Sequence, residues 1–130
     1  MYGVFFCYNG NMKKDHITEY SQIIGRTVTC VIDRPLGSRH PDHPDLIYPV
    51  NYGYVEGVRG GDGEWQDVYI LGTDQPLTAC TGIVIAIVHR LNDCEDKWIV
   101  SLDEKKPDRE EILQAVKFQE QYFETELYLK

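Results

Sequence analysis

Five short stretches of strand-forming residues, all placed ahead of one long helical stretch, limit the architectures open to this 130-residue chain. Thr27 to Asp33 is rich in β-branched residues, and Tyr48 to Val58 alternates until Gly60-Gly61 interrupts it. Val68 to Leu71 and Thr81 to His89 follow; the latter is nearly all apolar and reads as a central strand. Asn92 to Asp96 is a turn, and Lys97 to Leu102 is the fifth strand. Arg34 to Asp45 carries Pro35, Gly37, Pro41 and Pro44, which makes it an irregular loop. A short helix is predicted over Asp15 to Ile24, capped by Asp15 and stopped by Gly25. The closing helix is predicted from Asp108 to Leu127. Pro107 precedes it, Asp108 with Glu111 fits a capping box, and Ile112, Val116, Phe123 and Leu127 lie near one face beside Phe118 and Tyr122. Five strands and one helix predict a mainly β domain with some α, a small and highly curved sheet or barrel with the helix across it.

The length fits one domain over 1–130 with a single core. The first residues, Met1 to Tyr8, are apolar without a basic flank, too short for a secretory signal, and Met12 is an alternative start that leaves 1–11 as a frayed extension. No stretch approaches the roughly 20 apolar residues of a membrane span. Cys7, Cys30, Cys80 and Cys94 form no Cys-x-x-Cys pair, so the sequence favours reduced thiols in a cytoplasmic protein over a zinc site or disulfide framework. With 21 Asp and Glu against 13 Lys and Arg, the formal net charge is −8. Such a surface repels nucleic acid at close range unless a basic patch dominates, and the basic residues here are scattered. Bound cations, which reverse the local sign, would let an acidic protein handle anions.

Two acidic groups stand out. Asp62, Glu64 and Asp67 follow the Tyr-rich second strand, and Asp93, Glu95 and Asp96 lie on the later hairpin turn before Lys97. Along an extended strand Asp62 and Glu64 face one way and Asp67 the other, but Gly60, Gly61 and Gly63 favour a bend that brings Asp67 round. If the two turns meet across a barrel mouth, their carboxylates repel unless divalent cations compensate, and oxygen ligands of this kind suit Mg²⁺. Each group alone also matches an ordinary acidic turn.

The order of these features resembles the soluble (family I) inorganic pyrophosphatases. Their Tyr-Pro-x-Asn-Tyr-Gly-Tyr pattern stands nearly intact as Tyr48 to Tyr54; their Asp-Gly-Asp-Pro-x-Asp corresponds to Asp62-Gly63-Glu64-Trp65-Gln66-Asp67, and their acidic hairpin ending in Lys to Asp93-Cys94-Glu95-Asp96-Lys97. The resemblance covers residues 26–103, with the last helix matching the family's C-terminal one. It implies an OB-like five-stranded curved β-barrel, Mg²⁺-dependent hydrolysis of pyrophosphate by metal-activated water, and a symmetric homo-oligomer. It also implies Asp62, Asp67 and Asp93 as metal ligands, with Glu95 or Asp96 as a fourth. Glu64 takes the position of the catalytic base, and Tyr48, Tyr52, Lys97 and Tyr122 those that hold phosphate.

The chain departs from the pattern at several places. Glu64 replaces Asp, Trp65 and Gln66 replace Pro and an apolar residue, and Thr29 and Phe123 stand where the family has lysines. His40 stands at its arginine, with Arg39 adjacent, and Arg34 and Arg39 offer charge from the loop instead. Arg39 and His40 are accordingly candidate anion contacts. His40 and His43 are three apart, but Pro41 and Pro44 argue against the helix that a zinc pair would need; His89 reads as structural and His16 as surface. Two functions remain open from sequence: a pyrophosphatase, or a catalytically weakened protein of that fold that binds or hydrolyses another phosphorylated small molecule or serves as an interaction module. For Asp67→Asn the sequence predicts lost activity with an intact fold, because one anion fewer relieves repulsion.

Overall fold

The computed structural model describes residues 19–93, 95–103 and 106–129. The expectations for the chain start, for 1–11, for the Asp15 cap and for Cys7, His16 and Cys94 lie outside the described residues. Residues 19–23 are helical. Then come β1 (Thr27–Arg34), β2 (Asn51–Arg59), β3 (Trp65–Leu71), β4 (Ala79–Arg90), β5 (Asp96–Ser101), helix α1 (Arg109–Glu120) and β6 (Thr125–Leu129). The five expected strands are all present, with ends shifted by a few residues. Among the described residues no helix is long and apolar enough to cross a membrane.

The sheet order is β1-β2-β3-β5-β4-β6, and a further β1–β4 pairing closes the first five strands into a barrel. All neighbours are antiparallel except β3 and β5, which run parallel with Val68 beside Trp98. Closure covers most of the edges of those five strands, leaving the second half of β4 to be paired by β6. The alternation of side chains then sorts residues into two cores. Cys30, Ile32, Val55, Val68, Ile70, Val84, Ile87, Trp98 and Val100, drawn from all five strands, fill the barrel, where Tyr20, Ile23 and Ile24 join them. Tyr52, Tyr69, Ala86, Val88 and Ile99 project from the outer face and pack with Tyr48, Ile112, Val116 and Leu127. That second core docks α1 on the barrel. The candidate site residues Tyr52 and Asp67 share its face.

Helix α1 begins as expected. Asp108 accepts a hydrogen bond from the Glu111 N–H at 2.9 Å, and the Glu111 carboxylate accepts one from the Asp108 N–H at 3.1 Å. Its end is a correction: α1 stops at Glu120, not Leu127, and the chain turns back as a sixth strand. The physical cause lies in β4. Its first half, Ala79–Ile83, pairs with β1, but β1 does not reach its second half. Residues 86–90 would leave a row of backbone donors and acceptors bare, and β6 takes them, with Leu127 opposite Val88. Leu127 enters the outer core in either conformation, so its helical spacing from Phe123 does not distinguish them.

Gly53 marks the tightest approach of β1 and β2. A Cβ there would stand 1.9 Å from the carbonyl oxygen of Val31, with the backbone of Ile32 close behind. Backbone cannot rotate aside as a side chain does. Gly53→Ala is therefore expected to lose at least the roughly 1–3 kcal/mol of an overpacked site. Urea unfolding measures this, and an unchanged midpoint would show that the two strands part freely.

Candidate active site

The β2–β3 turn is built by its glycines. Gly60 N–H donates to the Glu64 carbonyl at 2.7 Å, Gly63 takes φ +86°, and the Asp62 carboxylate accepts from the Glu64 N–H at 3.0 Å. This folds the Asp62 side chain back toward the sheet. On β3, Asp67 shares the outward face of Tyr69, and the parallel pairing to β5 sets it beside Lys97. The β4–β5 turn supplies Glu95. Asp62, Asp67 and Glu95 each bring a carboxylate oxygen to within 4.8 Å of the others.

Cations border this group on two sides. Lys97, with its side chain only 4% exposed, donates to Asp67 Oδ2 at 2.6 Å and to the Tyr52 hydroxyl at 3.0 Å, and lies 3.6 Å from Glu95. Burial pulls Lys97 down, but Tyr52 and Asp67 outweigh it and hold the ammonium above its ordinary pKa. Burial, then the hydrogen bond to Asp62 and the charge of Asp93, push Glu95 up to about 7 against the pull of Lys97 and Arg90. Burial acts to raise Asp62 too, yet its hydrogen bonds with Glu95 and the Glu64 N–H, with the Lys97 charge, bring it below the usual carboxylate range. The three carboxylates thus lie close together in a partly buried setting, with Lys97 and Arg90 as the neighbouring cations. An all-oxygen donor set of this kind fits a hard divalent cation such as Mg²⁺.

Beneath the carboxylates runs a buried polar chain. Arg90 grips Glu120 through Nε at 2.9 Å and Nη2 at 2.7 Å, while Nη1 reaches Asp93 and Glu95, each at 3.3 Å. The Tyr69 hydroxyl donates to Glu120 at 2.5 Å and accepts from Gln119 at 2.7 Å. The Tyr48 hydroxyl donates to Gln119 at 3.0 Å and accepts from Arg34 at 2.6 Å. Each link satisfies a polar group that burial would otherwise penalise. The chain ties α1 to the strands and sets the positions of Arg34 and Arg90. Both guanidinium groups line a cavity of about 700 Å³, together with Tyr52, Asp67, Lys97, His40, His43 and Tyr122.

Searches with the sequence match no family model and no curated protein. Solved structures do match. An inorganic pyrophosphatase from Ehrlichia chaffeensis superposes with a TM-score of 0.62 at 13% identity, covering 82% of this chain and 87% of that one. One from Neisseria gonorrhoeae gives 0.56 at 21% identity, covering 75% and 74%. One from Helicobacter pylori gives 0.54 at 16%, covering 80% and 82%. This chain has the fold of the inorganic pyrophosphatases.

Within the pyrophosphatase fold, the residues singled out by sequence do not all meet. Asp62, Asp67, Glu95, Lys97 and Tyr52 converge. Of Glu95 and Asp96, Glu95 lies with Lys97 in the carboxylate group, whereas Asp96 faces the barrel, accepting from Tyr20 at 2.8 Å and lying 2.7 Å from His89 Nδ1. Asp93 stands apart from the three-carboxylate group. It accepts from the Glu95 N–H at 3.1 Å and pairs with Arg90, as a turn residue does. Glu64 is exposed on its turn, outside the group. Tyr48 is fully buried and holds Arg34 and Gln119 from behind the cavity wall. His40 lines the cavity, its Nδ1 accepting from the Asp42 N–H, and Arg39 is exposed with Nη1 on the Pro44 carbonyl. Tyr122 lines the cavity and is 69% exposed.

Sequence reasoning missed Arg90, Gln119 and Glu120. Arg90 closes an apolar strand and resembles a solvated end; Gln119 and Glu120 resemble an exposed last helical turn. A signal was present in retrospect: both helix residues are polar on the face that docks Tyr69, and a buried carboxylate demands a partner.

Proposed function

We propose that this protein is a Mg²⁺-dependent hydrolase acting on a phosphoanhydride, inorganic pyrophosphate being the first substrate to try. The observation that carries the reading is the convergence of Asp62, Asp67 and Glu95 into one carboxylate group, whose Asp67 lines the cavity together with Lys97 and Tyr52. These three carboxylates would hold the metal, with the Asp93 turn fixing Glu95. A bound divalent cation supplies Lewis-acid polarisation of a phosphoryl oxygen and lowers the pKa of water. Lys97 and Arg34 bind and orient the phosphate oxygens, Tyr52 adds a hydroxyl, and α1 and the loop from 35 to 47 contribute Gln119, His40 and His43 to the cavity wall. Glu64, on the same turn as Asp62, is the proton acceptor in this reading.

The experiment is phosphate release from pyrophosphate by the purified full chain with Mg²⁺, Mn²⁺ or Co²⁺. Turnover is expected; its absence with all three ions rejects the reading. Glu64→Gln is expected to lower kcat by on the order of 10²-fold, the usual contribution of a general base. Its exposed side chain predicts an unchanged melting temperature. Full activity in that variant would move the proton acceptor elsewhere. A second reading, hydrolysis or binding of another phosphorylated small molecule, is favoured by the pairing of Lys97 and Arg90 with acids, which leaves little free positive charge for a bare pyrophosphate. A cytoplasmic setting and a homo-oligomeric state complete the proposal; light scattering reads the latter.

A further inference from the structure

We propose that the cavity takes a phosphate compound carrying an aromatic organic group, such as an aryl or nucleoside phosphate, in preference to the bare inorganic anion. This rests on the phosphate-hydrolysing reading above and specifies its substrate class.

The first observation is size. Giving each oxygen the roughly 30 Å³ of a water molecule, a diphosphate occupies on the order of 200 Å³. The cavity measures about 700 Å³, within the range of sites for organic ligands. The second is chemistry. Its lining combines the charged Asp67, Lys97 and Arg34 with the apolar and aromatic Leu46, Tyr122 and Phe123. Tyr122 is 69% exposed, an aromatic ring at a cavity mouth with little packing to account for it. Phe123 is already flat against the Arg90 guanidinium at 3.6 Å, so that wall is preformed.

The third observation is the state of the cations. Lys97 is engaged by Asp67 and Tyr52, and Arg90 by Glu120, Asp93 and Glu95. Arg34 has a single side-chain hydrogen bond among the described residues, from Nη1 to Tyr48, which leaves the rest of its fork for an anion. A guanidinium with donors to spare, in a cavity that Tyr122 and Phe123 also line, matches a phosphate with a ring attached. It matches a bare, more highly charged anion poorly. Stacking on an aromatic side chain tolerates any ring with a π-face, so ring identity is a secondary matter.

Calorimetry on the full chain with Mg²⁺ tests this, with inorganic phosphate and phenyl phosphate as probes. Phenyl phosphate is expected to bind at least tenfold tighter, and Tyr122→Ala, at an exposed position that folding does not need, is expected to cut that advantage below threefold. Equal affinities, or an advantage that Tyr122→Ala leaves intact, would overturn the inference while phosphate binding itself upholds the hydrolytic reading. Failure of both probes to bind overturns the two together.

Discussion

Asp67→Asn is expected to lower phosphate release by at least about 10²- to 10³-fold, the usual loss when one preorganised electrostatic group is removed from a reacting site. Its carboxylate belongs to the three-acid group and also anchors Lys97. The second role alters what sequence reasoning predicts for stability. Counting acids alone, removing a charge relieves repulsion and leaves the fold intact. In the structure, Lys97 is nearly buried, and the neutral amide would leave its ammonium with the Tyr52 hydroxyl and with Glu95 at 3.6 Å. A hydrogen bond to a buried charge contributes roughly 1.5–3 kcal/mol. Asp67→Asn is therefore expected to be inactive and also less stable in the absence of metal. Steady-state assays and urea unfolding in chelator read the two effects separately. A fully active variant would reduce Asp67 to a structural partner of Lys97.

The second large effect is on folding. Arg90 and Glu120 are each about 5% exposed and joined by two hydrogen bonds, at 2.9 and 2.7 Å. Removing one member of such a pair leaves an uncompensated buried charge, at a cost of about 3–5 kcal/mol. Arg90→Met should lower the melting temperature by on the order of 10–20 °C for a chain of this size. It should also free Glu95 and Asp93, which share the same guanidinium. The double variant Arg90→Met with Glu120→Gln is expected to recover much of the loss, because the neutral amide can keep its bond to Tyr69. A single-variant loss below about 1 kcal/mol would mean that Glu120 finds other partners or takes up a proton.

Much of this fold can be read residue by residue. The β-branched stretch at Thr27, the alternation after Tyr48 and the apolar run through Ile83 to Val88 each report strand geometry locally. Asp108 and Glu111 mark the start of α1 just as directly. The end of α1 was not legible. Phe123 and Leu127 keep helical spacing, and the competing conformation is stabilised by Val88, nearly forty positions earlier in the chain. The site was half legible. Asp62 and Asp67 stand out as acids beside a Tyr-rich strand, but Arg90 and Glu120 look like solvent-facing ends until the tertiary structure buries them together. Tyr48 was legible as a candidate, but its links were not: its hydroxyl holds Arg34 and Gln119 within the wall.

By itself the sequence determined the five barrel strands and the start of α1, because strand alternation and helix capping depend on backbone geometry within a few residues. It also determined that oxygen ligands, not thiolates, dominate the candidate metal site. Which acids meet was decided only in three dimensions. Barrel closure through β1 and β4, and the parallel pairing of β3 with β5, bring Asp67 to Lys97 across about thirty residues of chain. Alternation then turns Asp96 inward and leaves Glu95 outside with the other two carboxylates. Long-range pairing fixes the register, and register fixes the chemistry.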